Sequence, residues 1–240
     1  MAIITIASTK GGCGKTTTAI NLAIEARQRG YSAAVVDADP QHHAFNWVMF
    51  HQGLTAEQAA ANTVYTGQMD IDVVCKVTAD SVSPQILSLA ATHDIVLVDL
   101  QGSANQTMIF AFAASDLVIV PAQPSAFDIG GAELTIRSLR ATERSMRLGR
   151  TIPERILLTR TPAMLRTRSG AATRSAFVDA GLAVMSTEFV ERTAFRDQTF
   201  TGNAPTVADP NGNAAKNIAA IFGEVLSIIS ESGVAGAAAE

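Results

Sequence analysis

The chain has 240 residues, 48% of them hydrophobic, with a net charge of −4 and two cysteines, Cys13 and Cys75. That is enough apolar material for one sheet buried on both faces, and too few cysteines for a disulfide framework or a CxxC zinc site. No apolar run reaches the roughly 18 residues of a membrane span, and an apolar strand begins at once where a secretory leader would stand.

The first element is the β-branched run Ile3, Ile4, Ile6, which leads into STKGGCGKTTT at residues 8–18 and then into a helical segment from Thr16 to about Gln28. Strand, glycine-rich loop and helix in that order form an anion cradle. Gly11, Gly12 and Gly14 let the backbone wrap a phosphate chain. Successive N–H groups, those of Cys13 and Thr17 included, then point at its oxygens, with the helix N-terminus behind them. Lys15 reaches the β- and γ-phosphates and the Thr16 hydroxyl holds Mg²⁺. The next strand, AAVVDAD at 33–39, ends in Asp37 and Asp39, two carboxylates placed to position Mg²⁺ and an attacking water. An Asx turn ahead of Pro40 is the other reading of Asp39.

Further strands are expected at IDVVCKV (71–77), DIVLVDL (94–100), DLVIVPA (116–122) and RILLTR (155–160). Short apolar runs bounded by polar turns suit parallel strands covered on both faces. Asp99 ends the third of these runs and reads as a carboxylate that holds Mg²⁺ through water, with Gly102 placed to sense a γ-phosphate. Helices are expected near 84–92, 106–114, 129–148, 169–180 and 213–230. The last has apolar positions at helical spacing, from Ile218 to Ile229. The architecture expected is a doubly wound α/β domain with a mostly parallel sheet over residues 1–231, its ligand at the carboxyl ends of the strands. Residues 232–240 read as a disordered tail.

The loop departs from the usual GxxxxGK[ST] pattern: Thr9 stands where a glycine is expected, and Lys10 follows it. KGGCGKT with two lysines, followed by DADPQ, resembles the deviant Walker A ATPases of the ParA/MinD family. That resemblance implies an ATPase with slow, partner-stimulated turnover that uses ATP and Mg²⁺ and dimerises with ATP. It implies that Lys10 crosses the dimer interface to the partner's nucleotide, that Asp39 orients the attacking water, and that Asp37 stands nearer the metal. The stretch Pro121, Gln123, Pro124 and Asp128 resembles the family's dimer face. Thr159 and Pro205 resemble adenine contacts, although a turn explains Pro205 nearly as well. Many members carry a proline-rich stretch after the Asp99 position, where this chain has Leu100, Gln101, Gly102 and Ser103. Iron proteins of the same fold need a cysteine pair in a glycine-rich setting, which this chain lacks.

Charge is distributed unevenly. Residues 137–174 hold ten arginines and no lysine against Glu143 and Glu154. Arg137, Arg140, Arg144 and Arg147 step by three, four and three, which places them within about 80° of one helix face. Arg166, Arg168 and Arg174 follow. Such a stripe is either a solvated face or a surface for the DNA backbone. The C-terminal helix sets Lys216 against Glu224 and Glu231 and lacks the cationic face a membrane helix needs. By resemblance, the chain is expected to be a small partition ATPase without a helix-turn-helix region. Its partners would be nonspecific double-stranded DNA, a centromere-binding or cargo adaptor protein, and a second copy, with no membrane. It would be cytoplasmic and nucleoid-associated with ATP. The stretch from TRTPAMLRTRSG to FVERTAFRDQTF also resembles the VirC-type ATPases of DNA-transfer origins. A metabolic phosphate-loop enzyme is the remaining alternative.

Overall fold

The computed structural model describes residues 1–50, 64–66, 71–163 and 168–232. Eight strands form one sheet in the order β3-β4-β2-β5-β1-β6-β7-β8. They are β1 (Ala2–Ile6), β2 (Ala33–Ala38), β3 (Val64–Thr66), β4 (Ile71–Val74), β5 (Ile95–Leu100), β6 (Leu117–Ala122), β7 (Glu154–Thr161) and β8 (Phe189–Val190). All pairings are parallel except β3 with β4 at the edge, so seven strands run one way. The helices are α1 (Lys15–Gln28), α2 (His43–Phe50), α3 (Ala79–Ala90), α4 (Gln106–Ala114), α5 (Ala126–Ser145), α6 (Arg168–Asp179), α7 (Thr193–Thr201), α8 (Pro205–Ala208) and α9 (Asn213–Glu231).

Alternation along each strand divides the core into two layers. On β5, Ile95 and Leu97 face α1, α2 and α9, whose buried residues include Leu22, Trp47 and Phe222. Val96, Val98 and Leu100 face α3 to α6, with Ile86, Phe112, Leu139 and Phe177. Continuous apolar runs are what a sheet covered on both faces requires. Proline is rare inside a sheet, yet Pro121 lies in β6. The β1–β6 pairing extends only to Ile119. Ala7 N–H donates to the Ile119 carbonyl, and Val118 N–H points the other way, to Pro153. Pro121 therefore turns its missing donor toward a flank that β1 has already left.

Two helices begin or end away from their expected places. α3 starts at Ala79, where Thr78 and Ser81 cap it reciprocally, so Pro84 lies inside the helix and does not open it. α5 starts at Ala126 and stops at Ser145; Ser125 caps it by accepting from Asp128 N–H. Arg147 then adopts a left-handed φ of 52° and leaves the helix. The sequence reading did not include α2, β3, α7, α8 or β8. Of the expected tail, Ser232 caps α9, and residues 233–240 lie outside the described set.

β1 lies at the centre of the sheet between β5 and β6, where the chain reverses its direction of travel. Loops leaving adjacent strands toward opposite faces open a crevice at such a point. The glycine-rich loop leaves β1 there, beside the ends of β2, β5 and β6.

Candidate nucleotide-binding site

Backbone conformation is the first requirement. Gly14 caps α1 with a φ of 95°, a left-handed geometry that L side chains rarely adopt. The loop is then braced from three directions. Thr159 Oγ1 donates to the Cys13 carbonyl at 2.9 Å, and Gln123 Nε2 donates to the Gly12 carbonyl at 3.1 Å. Thr9, in place of the usual glycine, ties the loop to α5: its N–H donates to Thr135 Oγ1, and its hydroxyl to the Gly131 carbonyl. Cys13 is buried, its Sγ 3.5 Å from the Lys10 carbonyl, and serves as a small packing residue.

The two lysines have different settings. Lys15 is buried and donates to the Lys10 carbonyl at 3.1 Å, inside the loop it is meant to serve. Lys10 points outward to Asp128 Oδ2 at 2.9 Å, and Asp128 also accepts from the Ser125 hydroxyl. Burial raises the Asp128 pKa, but the Ser125 and Lys10 contacts outweigh it and hold the carboxyl below its usual range. Two glycines shape this corner. A Cβ on Gly102 would lie 2.8 Å from Gly11 N and the Lys10 carbonyl, and one on Gly131 would meet the Lys10 stem at 2.8 Å.

The carboxylates divide their work differently from the expectation. Thr16 Oγ1 donates to Asp99 Oδ2 at 2.6 Å. Asp99 is fully buried, and its Oδ1 has no partner among the described residues. Burial pushes its pKa up to about 7, against the Thr16 hydrogen bond, and the neighbouring Asp37 charge adds to the rise. An orphaned carboxylate oxygen beside a threonine hydroxyl fits Mg²⁺ chemistry: a cation would restore the charge and fill the empty valence.

Asp37, expected near the metal, is occupied by the backbone. Its Oδ2 accepts from Phe45 N–H at 2.9 Å and its Oδ1 from Asp39 N–H at 3.2 Å, so it fastens the start of α2 to β2. Asp39 faces the cleft and also makes the Asx turn, accepting from Gln41 N–H at 2.9 Å.

Three chambers meet around the loop. The phosphate cleft, about 540 Å³, is lined by Gly11, Gly12, Gly14 to Thr17, Asp39, Gln101, Gly102 and Arg160, among others. A side chamber of about 340 Å³ is lined by Thr17, Thr159, Arg160, Phe189, Glu191, Arg192 and Phe195. A third, about 410 Å³, lies between α2 and α7. Thr159 lines the side chamber. Pro205 does not line these chambers; it is buried at the first position of α8, where its missing N–H costs nothing.

Arg160 escaped the sequence reading. It interrupts the β7–β8 register with a φ of 53°, which turns its side chain toward both chambers. Glu191 and Arg192 also escaped it, since β8 has two residues and α7 no clean apolar period.

The arginine stripe is only partly free. Arg137 and Arg144 are exposed on α5, and Arg147 is exposed beyond its end. Arg140 is committed: its guanidinium binds Glu143, Glu154 and the Ile152 carbonyl, clamping α5 to the start of β7. Arg174 pairs with Glu188 and donates to the Met185 and Ser186 carbonyls. Arg166 lies outside the described residues, and of Arg168 only its place at the start of α6 is described. Among the described residues, no helix is long and apolar enough to cross a membrane.

Comparison with known proteins agrees with this geometry. Residues 4–194 match the family described as the CobQ/CobB/MinD/ParA nucleotide binding domain. Protein ParA of Rhizobium radiobacter is 27% identical over 220 residues, covering 91% of each chain. The maintenance of carboxysome distribution protein A of Halothiobacillus neapolitanus is 27% identical over 227 residues, covering 93% of this chain and 95% of its own. The fold resembles that of the septum site-determining protein MinD of Pyrococcus horikoshii, solved with Mg-ADP. The TM-score is 0.71 at 17% identity, over 96% of this chain and 98% of that one.

Proposed function

The chain belongs to the CobQ/CobB/MinD/ParA nucleotide-binding family of ATPases, and from that premise we propose that it hydrolyses ATP slowly as a nucleotide-closed dimer that binds DNA without sequence preference and positions a cargo. The observation that carries this reading is the division of labour between the two lysines. Lys15 is buried under the phosphate loop, where it neutralises a bound triphosphate. Lys10, the extra lysine of the deviant Walker A pattern, stands at the rim on Asp128 and faces outward. A cation there is available to a second protomer's nucleotide once Asp128 releases it.

Thr16 and Asp99 would hold Mg²⁺, which supplies charge neutralisation on the phosphates when bound. Asp39, in the cleft, orients a water toward the γ-phosphate. Gly102 leaves the switch after β5 in contact with the loop backbone, so nucleotide and switch share one space. Arg137, Arg144 and Arg147 form the free part of the DNA surface among the described residues. The relatives include a ParA protein and a carboxysome-distribution protein. Those names support one mechanism with exchangeable cargo, delivered by an adaptor that stimulates turnover.

Lys10→Ala is the direct test. The variant is expected to bind ADP as the parent does and to lose ATP-dependent dimerisation and turnover. Sedimentation with ATP, beside a turnover assay with and without DNA, checks this. A Lys10→Ala protein that dimerises and hydrolyses normally removes the trans-acting lysine from the reading.

A further inference from the structure

β8 is an edge strand of two residues, yet it walls the side chamber. Phe189 and Val190 line that space, and the Phe189 ring packs on Phe195 with centroids 4.6 Å apart. A strand this short supplies few ladder bonds of its own. β7 holds the chain at two points: Met185 N–H donates to the Ile156 carbonyl, and Glu191 N–H to the Thr161 carbonyl. Between those points, side chains from two helices take up the backbone.

The helices reach in from opposite layers of the core, α9 with Phe222 and α6 with Phe177. On α9, Glu224 accepts from Ser186 N–H at 2.6 Å and from Thr187 N–H at 2.8 Å. Burial raises the Glu224 pKa, but those two N–H groups outweigh it and hold the carboxyl below its usual range. Asn217, one helical face along, accepts from Val190 N–H at 2.9 Å and donates to the Glu188 carbonyl at 2.8 Å. On α6, Arg174 Nη2 donates to the Met185 and Ser186 carbonyls at 2.5 and 3.2 Å, and its Nε to Glu188 Oε1 at 3.3 Å. Thus α9 takes the donors of Ser186, Thr187 and Val190, while α6 takes the carbonyls of Met185 and Ser186.

We propose that Arg174 is a positioning residue of the nucleotide site: with Asn217 and Glu224 it fixes the segment from Met185 to Val190 that walls the side chamber, and so sets how tightly the base half of the nucleotide is held. This rests on the ATP reading above. The side chamber shares Gly14, Thr17 and Arg160 with the phosphate cleft, so a nucleotide with its phosphates in the cleft turns its base this way. Arg174, Asn217 and Glu224 do not line the chamber; they act through its wall. A guanidinium that spends these donors inward is also withdrawn from the cationic surface to which its spacing would assign it.

The test compares ATP with inorganic tripolyphosphate, which carries the phosphates without the nucleoside, each with Mg²⁺, by calorimetry on the parent and on Arg174→Ala. We expect Arg174→Ala to bind ATP about tenfold more weakly and tripolyphosphate as the parent does. Its DNA affinity at saturating ATP should match the parent's. A general loss of stability would leave the ratio of the two ligand affinities where it was. Glu224→Gln, which turns an amide NH₂ toward one of the two N–H donors, should shift that ratio in the same direction, and it carries the test if the alanine variant does not fold. An unchanged ratio in a folded variant overturns the proposal and leaves the ATP reading standing. So does a loss of DNA binding at saturating ATP with the ratio intact, which returns Arg174 to the cationic surface. A parent that binds tripolyphosphate as tightly as ATP overturns the placing of the base, and the proposal with it. A parent that binds neither overturns the ATP reading as well.

Discussion

The loop lysines and the α5 arginines are both cationic sets, and they are built on different principles. Around Lys15 each contact serves the loop itself: Thr159, Gln123 and Thr135 brace its backbone, and Asp99 holds the threonine that follows. The lysine itself rests on a loop carbonyl, that of Lys10, and not in an ion pair at hydrogen-bond distance. On α5 the arginines share a helix face by spacing but not by use. Arg140 is drawn into two glutamates and a carbonyl, while Arg137 and Arg144 remain in solvent. Motif residues are defined by backbone geometry that only a few sequences provide. A charged stripe is defined by whatever acids the tertiary fold brings near it.

The sharpest probe of the first set is Lys15→Ala. Losing a charge-assisted partner of the phosphates should weaken nucleotide binding by about a hundredfold or more, read by calorimetry, with the circular dichroism spectrum unchanged. An affinity within a few fold of the parent would show that the braced backbone alone captures the triphosphate.

The second set is probed by separating its members. Arg137→Glu with Arg144→Glu should cut ATP-dependent DNA binding by about tenfold or more, on unrelated sequences alike, and flatten its salt dependence. Thermal stability should hardly move, since neither guanidinium makes a structural contact. Arg140→Ala should do the reverse. It leaves Glu154 without its guanidinium and Glu143 with only the Ile152 N–H, and at this partly exposed site the loss is about 1 kcal/mol, visible as a lower Tm, with a smaller effect on DNA. Equal effects of the two substitutions on DNA would restore the whole stripe as one surface.

The smallest expected effect is a pH dependence. Asp99 titrates near 7 in the folded protein, above its model-peptide value of 3.8, because burial disfavours its charge. The native state therefore holds this proton more tightly than the unfolded chain. Its stabilising contribution is full below pH 3.8 and is lost as pH rises through about 7. Nucleotide-free protein should melt lower at pH 8 than at pH 6, and Asp99→Asn should flatten that difference. A parent melting profile that is level across this range, with the asparagine variant unchanged, would put the Asp99 charge in contact with solvent.

Legibility followed the same division. KGGCGKT, DADPQ and IVLVDLQG located the loop and the sheet centre, because strand, glycine and carboxylate positions there are fixed by the chain's own geometry. The apolar runs gave the central strands nearly to the residue. Signals failed where one residue type serves two purposes. α5, expected from Ile129, starts three residues earlier behind the Ser125 cap, and Gly131 inside it is small because the Lys10 stem lies against it. The helix expected from Pro84 starts at Ala79, because its cap lies at Thr78. A carboxylate at a strand end has two uses, and Asp37, read as a metal neighbour, also accepts from the backbone of α2. The side chamber stayed hidden because it is assembled largely from β7, β8 and α7, segments too short or too irregular to carry a period.

The length of α5 gives the Lys10–Asp128 pair a mechanical meaning. The helix runs unbroken from Ala126 to Ser145 with no proline in it, so it behaves as a stiff beam. Asp128 lies at one end and Arg144 near the other, about 24 Å away at 1.5 Å per residue. A tilt of about 5° about the Asp128 end would carry Arg144 through about 2 Å. That is comparable to a hydrogen-bond length, large enough to make or break a phosphate contact. Arg140, bolted to Glu143 and Glu154, lies close to the far end and resists that swing. The stiffness of one helix thus sets an upper bound on how independently the phosphate loop and the cationic surface can move.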